Sequence, residues 1–239
     1  MPLFVLVHSP SVGPSTWQPA AGLLREAGHD VVVPSLLGVG DGDPPYWPRV
    51  PAAVSDALTG TLGADPSQPL VLVVHSNAGL FVPVIADRLA RPVACTIFAD
   101  ASIPPADGST PVAEHDFVPF LRDLADADGR LPQWTSWWGE EDVAALLPDP
   151  QVRAVVTAEQ PRLPLEYYLE HIPVPGGWDR RPCGYLLFGD AYEGQAADAR
   201  GRGWPVRTLP GEHLHQVVDP SGVTRALIEL ARAASAVPG

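Results

Sequence analysis

The apolar run Leu70-Val71-Leu72-Val73-Val74 ends at His75-Ser76, and the chain then enters a helical pattern at Asn77-Ala78-Gly79-Leu80-Phe81. A continuous apolar stretch of this length bounded by turn signals reads as a strand buried on both faces, which is the strand of a parallel sheet covered by helices. A strand that turns sharply into a helix holds its last side chain up out of the sheet, and the helix N-terminus favours negative charge beside it. Ser76 occupies that position. The common form of the turn is G-x-S-x-G, and here the flanking positions are Val74 and Ala78. On local pattern alone, Ser76 is either a nucleophile or a strand-end residue that caps the following helix with Asn77.

The rest of the chain supplies the sheet that such a turn needs. Leu3–Val7, Asp30–Val33, Val93–Ala99, Gly184–Phe188 and Pro205–Leu209 read as further strands, with helices expected over Trp17–Ala27, Ala52–Leu62, Asn77–Ala90 and Glu193–Arg202. A last helix starts at Asp219-Pro220, an N-cap followed by proline, and carries Val223, Ala226, Leu227, Leu230 and Ala231 as its apolar stripe. The Gly38–Pro51 segment is rich in Gly, Pro and Asp and is loop. The strand–helix alternation predicts an α/β fold, a mostly parallel doubly wound sheet. Between residues 102 and 181 the alternation stops, and short helical pieces separated by prolines carry Trp134, Trp137, Trp138 and further aromatic residues. Residues 1–101 and 182–239 are therefore assigned to the core, and residues 102–181 to a helical, aromatic-rich cap inserted over the mouth of the site.

Composition excludes several chemistries. The chain contains no lysine, all 15 basic residues being arginine, so Schiff-base and P-loop mechanisms are out. The net charge of −13 argues against nucleic acid and anionic membrane surfaces as partners. No apolar run approaches the ~18 residues that span a bilayer, and the N-terminus reads as a strand without a leader. Cys95 and Cys183 lie in strand-like runs and read as buried reduced thiols, which suits a cytoplasmic location. No metal-ligand spacing stands out, the weak His213-x-His215 pair included, and no G-x-G-x-x-G follows a strand, so no metal or cofactor is expected. A small-molecule substrate and a monomer or homodimer are expected.

Two histidines, His213 and His215, fall between the last strand and the last helix, at the sheet edge where the Ser76 turn also lies. Either can reach the serine as a general base, and the serine needs only one. His29 and His171 have no such placement.

These segments in this order resemble the α/β-hydrolase superfamily over essentially the full chain. Leu6-Val7-His8-Ser9-Pro10 through Trp17 resembles the His-Gly oxyanion turn, and Val33–Gly40 the P-D-L-x-G-x-G loop. Val74–Gly79 resembles the nucleophile elbow, and Glu212-His213-Leu214 through Asp219-Pro220 the G-H-x…D-P ending. The aromatic cap loosely resembles the hydroxynitrile lyase and plant methyl-esterase branch. The resemblance implies Ser76 as nucleophile and, counting back from Asp219-Pro220, His213 as base. The usual position of the triad acid is Tyr192 here. The acid is then Asp100, at the end of the preceding strand as in haloalkane dehalogenases, or alternatively Asp190; the favoured reading is Asp100. One oxyanion amide is expected from Asn77. The other falls at Pro10, which has no N–H, leaving the Ser9 or Ser11 hydroxyls, or the Ser11 amide after a shifted turn, to replace it. His8, His75, Trp134, Trp137 and Trp138 are expected at the substrate pocket, although His75 also reads as packing and the tryptophans as residues that hold the cap on the core.

Two readings of function compete. The first is a cofactor-free serine hydrolase acting on an ester, thioester or lactone of an apolar small molecule. The second is a lyase, cyclase or isomerase that uses Ser76 and His213 as acid and base. A binding protein with an inactive site is a third.

Overall fold

The structure, a computed structural model, describes residues 1–60 and 68–235. Its centre is a six-stranded, all-parallel sheet in the order β2-β1-β3-β4-β7-β8. The strands are β1 (Leu3–Val7), β2 (Asp30–Val32), β3 (Leu70–Ser76), β4 (Val93–Ala101), β7 (Cys183–Leu187) and β8 (Val206–Thr208). Because side chains alternate along a strand, the central strands divide their residues between two cores. Leu3, Val5, Val7, Leu70, Leu72, Val74 and Phe98 pack on one face with residues of α2 (Arg49–Thr59), α3 (Val82–Arg88) and α8 (Glu193–Gly201). Phe4, Leu6, Val71, Val73, Ile97 and Leu186 pack on the other with α1 (Gln18–Glu26) and α10 (Pro220–Ser235). A chain apolar at every strand position has to be covered on both sides, and it is.

The sheet runs from β1 outward to β2 in one direction and through β3 to β8 in the other. The strand order therefore reverses between β1 and β3, and a crevice opens at their carboxyl ends, where ligands of such folds bind. Residues 9–12 follow β1 there, and Ser76 ends β3.

Between β4 and β7 lies an insertion that departs from the all-helical expectation. It begins with β5 (Gly108–Pro111) and carries α4 (Val118–Leu124), α5 (Glu140–Leu146), α6 (Pro150–Glu159) and α7 (Leu165–Tyr168). It closes with β6 (His171–Val174), antiparallel to β5. The ribbon ties the two ends of the insertion together where the sequence showed only proline-broken pieces. Tyr167, Ile172 and Trp178 join the core of the sheet itself, so the insertion shares that core.

Other differences are local. The helix after Ser76 begins as a tight 3-10 turn over Asn77–Phe81 and becomes α-helical only at α3, which carries Pro83 in its first turn. α2 starts three residues before the expected Ala52; Thr61 and Leu62 of that expected helix lie outside the described residues. A short helix, α9 (His215–Val218), precedes α10. Cys95 and Cys183 are buried and unbridged. Among the described residues no helix is long and apolar enough to cross a membrane.

Candidate active site

Ser76 sits at φ 59°, ψ −132°, a conformation an L-residue adopts only when its surroundings impose it. The surroundings are tight. The Ser76 carbonyl accepts the Ser102 N–H (3.1 Å), Ala78 is fully buried, and a Cβ on Gly79 would lie 2.0 Å from the Ser102 carbonyl oxygen. The glycine that lets helix and strand approach is thus Gly79, one position later than in G-x-S-x-G.

Asp100, at φ 45°, is the other non-glycine residue with positive φ among the described residues. His75 pairs with Ala99 and Ser76 with Ala101, so Asp100 is an extra residue in β4, a bulge. A bulge re-aims a side chain and is common beside active sites. Here it turns the carboxylate toward β7, where Oδ1 accepts the Phe188 N–H (3.0 Å) and Oδ2 accepts from His213 Nδ1 (2.7 Å). Tyr185 holds the bulge from β7: its phenol donates to the Ala101 carbonyl (2.9 Å) and accepts the Ala101 N–H (3.1 Å). Tyr185→Phe leaves both groups buried without that partner, and we expect a loss of about 2 kcal/mol in urea unfolding. A fall in activity should accompany it. Unchanged stability would show that the bulge holds itself.

His213 lies in the loop between β8 and α9. Its Nε2 stands 2.9 Å from Ser76 Oγ, and its backbone carbonyl accepts from His75 Nε2 (2.8 Å). Ser76, His213 and Asp100 therefore form one continuous hydrogen-bonded chain. His215 packs edge-on against Phe188 and takes no part in it. Asp190, the other carboxylate considered, is exposed at the start of the short 3-10 helix Asp190–Tyr192, while Asp100 occupies His213 Nδ1.

The remaining histidines near the site are structural. His75 is 1% exposed and burial holds its pKa well below the usual value, so its neutral ring anchors the His213 loop, with one edge reaching the cavity. His8 corrects the sequence expectation: it is fully buried and does not line the cavity. Its Nδ1–H donates to the Ser9 carbonyl (2.7 Å) while Nε2 accepts the Leu36 N–H (3.0 Å), a pairing available only to the neutral ring. Burial pushes its pKa down to about 4 from 6.5. Between those values the unfolded chain binds a proton that the folded chain refuses. The contribution to stability is therefore complete above pH 6.5 and is lost as pH falls toward 4, by roughly 3 kcal/mol. Urea midpoints measured from pH 7 to 4.5 should fall, and His8→Gln should flatten that slope.

The turn after β1 explains the place of Pro10. Ser9 to Val12 form a β-turn closed by Val12 N–H to the Ser9 carbonyl (3.1 Å), with Pro10 at its second position, where its fixed φ suits the turn. Pro10 offers no donor and does not line the cavity; Ser9 and Ser11 do. Ser11 Oγ bonds the Tyr168 phenol (2.8 Å), and Ser11 N–H bonds Ser9 Oγ at 3.3 Å. Asn77, first in its 3-10 turn, has an N–H without a partner inside the helix. Its side chain is held by the Val112 carbonyl (2.8 Å) and the Tyr167 phenol (3.0 Å).

Above Ser76 the cavity measures about 660 Å³. Its walls carry Phe117, Trp134, Trp137, Trp138, Tyr168 and Tyr192, and Trp134 lies 6.1 Å from the His213 ring. The tryptophans thus pack with Phe117 and Phe120 as one cluster and line the cavity as well. Glu114, Asp142 and Glu212 stand at its exposed margin, and no arginine lines it. Among the described residues no group of three or more His, Cys, Asp or Glu side chains converges as a metal site. Tyr185 and the tie between Gly79 and Ser102 carry no local signal in the sequence, and neither does the contact of Tyr192 with the site. The only hint was Tyr192 standing where a carboxylate is usual.

A parallel sheet with a serine on a strained strand–helix turn and a histidine presented from the far loop defines a hydrolase-type α/β architecture. A sequence model of the alpha/beta hydrolase family matches residues 4–229, and the chain belongs to that family. A carbendazim-hydrolysing esterase from a Nocardioides strain is 33% identical over 103 residues, 42% of each chain, so the match spans less than half of that relative's length. Among solved structures, an extracellular α/β-hydrolase from a Paenibacillus species superposes with a TM-score of 0.75 at 16% identity, covering 97% of this chain and all of that one. That protein is described as sharing structural and functional homology with tobacco salicylic acid binding protein 2. An Arabidopsis methylesterase superposes at 0.70 with 15% identity, covering 97% and 99%.

Proposed function

We propose that this protein is a cofactor-free serine hydrolase that cleaves an ester, thioester or lactone of an apolar small molecule. The reading rests on the chain from Ser76 Oγ through His213 to Asp100, with links of 2.9 and 2.7 Å. His213 Nε2 takes the serine proton as Oγ attacks the carbonyl carbon, Asp100 keeps the Nδ1–H tautomer in place, and the imidazolium protonates the leaving oxygen. Water then repeats the sequence on the acyl-enzyme. The Asn77 N–H and the hydroxyls of Ser9 and Ser11 serve the oxyanion, and residues 102–181 act as the cap whose aromatic rings hold the substrate. A carboxylate margin without arginine favours a neutral substrate over an anionic one and repels the carboxylate product. The relatives named for esterase action on carbendazim and as a methylesterase support ester hydrolysis.

The test is a fluorophosphonate probe followed by peptide mapping. One label on Ser76 is expected, and no label on folded protein sinks the proposal. Proline at position 10 favours a second reading, lyase, cyclase or isomerase chemistry with the same serine and histidine. Hydrolysis in ¹⁸O-water separates the two, since only the hydrolase places the heavy oxygen in the product acid.

A further inference from the structure

Tyr192 stands where the family would place a carboxylate, and the reading above gives it no task. Its ring lies parallel to the His213 imidazole, with centroids 4.9 Å apart and planes 3° apart. Its phenol oxygen is 3.4 Å from Ser76 Oγ, and Ser102 lines the same cavity beside it. Three features of the fold bring it there. The bulge at Asp100 has already supplied the acid from β4, which frees the loop after β7. The 3-10 turn Asp190–Tyr192 then places the ring over the imidazole, and Ser102, tied to Ser76 through its own N–H, flanks the phenol.

We propose that Tyr192 is a fourth catalytic residue, whose phenol donates a hydrogen bond to Ser76 Oγ whenever that oxygen carries charge and whose ring stabilises the His213 imidazolium. The proposal rests on the serine-hydrolase reading. In acylation the Oγ proton moves to His213 Nε2 as Oγ bonds the carbonyl carbon and the π pair moves onto the carbonyl oxygen. That pair then re-forms the carbonyl, the bond to the leaving oxygen breaks, and Nε2 gives its proton to the departing alcohol. In deacylation water loses a proton to Nε2 and its oxygen bonds the acyl carbon. The C–Oγ bond then breaks, its electron pair stays on Oγ, and Nε2 returns the proton. In both directions Oγ is transiently alkoxide-like. The phenol stabilises that state without giving up its own proton, and burial raises its pKa and so keeps it protonated. Ser102 donating to the phenol oxygen would aim the phenol proton at Oγ. At 3.4 Å the contact is long for an O–H···O bond, but catalytic hydrogen bonds commonly tighten as charge develops. The flat stack of an electron-rich ring on imidazolium is favourable as a cation–π contact.

Two substitutions separate the phenol from the ring. Tyr192→Phe keeps the stack and loses the donor, and should lower both the acylation and deacylation rates on a 4-nitrophenyl ester by about tenfold with little change in KM. Tyr192→Leu loses both, and should in addition move the acid limb of kcat/KM down by about half a pH unit. That limb also responds to the other groups facing His213, namely Asp100, His75 and Glu212, which are the same in both variants. Ser102→Ala leaves Tyr192 in place and should cost a few-fold, giving a second measure if Tyr192→Phe folds poorly. Rates within twofold of wild type in Tyr192→Phe and Ser102→Ala overturn the proposal. If wild-type protein fails to label at Ser76, the hydrolase reading has failed instead. A labelled Ser76 with an indifferent Tyr192 leaves that reading standing.

Discussion

Ser76→Ala is expected to lower kcat on an activated aryl ester by about 10⁶-fold, the order of the loss when the nucleophile of a serine hydrolase is removed. It should abolish fluorophosphonate labelling as well. The size follows from the geometry: Ser76 Oγ is the only atom that His213 Nε2 contacts as a hydrogen-bond partner among the described residues. The other cavity serines, Ser9, Ser11 and Ser102, have no hydrogen bond to His213, so none of them has a base to activate it. The fold should survive the change, because the strained backbone at Ser76 is held by the Ser102 N–H and by Gly79 packing rather than by the hydroxyl. Alanine retaining more than a percent of the activity at an unchanged melting temperature would mean that another group attacks the substrate.

Asp100→Asn should be the next largest effect, about 10³–10⁴-fold in kcat. Both carboxylate oxygens of Asp100 face donors, the Phe188 N–H and His213 Nδ1. An amide can present oxygen to only one of them. Either the Phe188 N–H loses its acceptor, or His213 changes tautomer and aims a proton at Ser76, which then has no base. Asp190→Asn, an exposed change, should stay within twofold of wild type. Measuring kcat and urea midpoints for the pair separates catalytic from structural loss. If Asp190→Asn were the damaging substitution, the acid would have been placed on the wrong strand.

Much of the fold could be read directly. Strands apolar at every position, such as Leu3–Val7 and Leu70–Val74, can only be covered on both faces, and helices between them force a parallel sheet. The position of most strands along the chain and the Asp219-Pro220 helix start followed from local signals. The β5–β6 ribbon did not, because its pairing joins residues about sixty apart and its sequence is short and proline-broken. His8 was misplaced for a similar reason. Its partner, the Leu36 N–H, belongs to a distant loop, so sequence alone left the ring free to point at the cavity.

At the turn itself, the sequence alone determined that a serine ends a buried strand before a helix, with histidines on a later loop at the same sheet edge. That much is chain order and periodicity. The resemblance already pointed to His213 and favoured Asp100, but the contacts that join Ser76, His213, Asp100 and Tyr192 belong to the tertiary structure. A single extra residue in β4 turns one carboxylate toward the Phe188 N–H and His213, and Tyr192 of the loop beyond β7 stacks on the His213 ring. Such a bulge is a register relation between two strands, set by Tyr185 from a third, and one strand's sequence holds no trace of it.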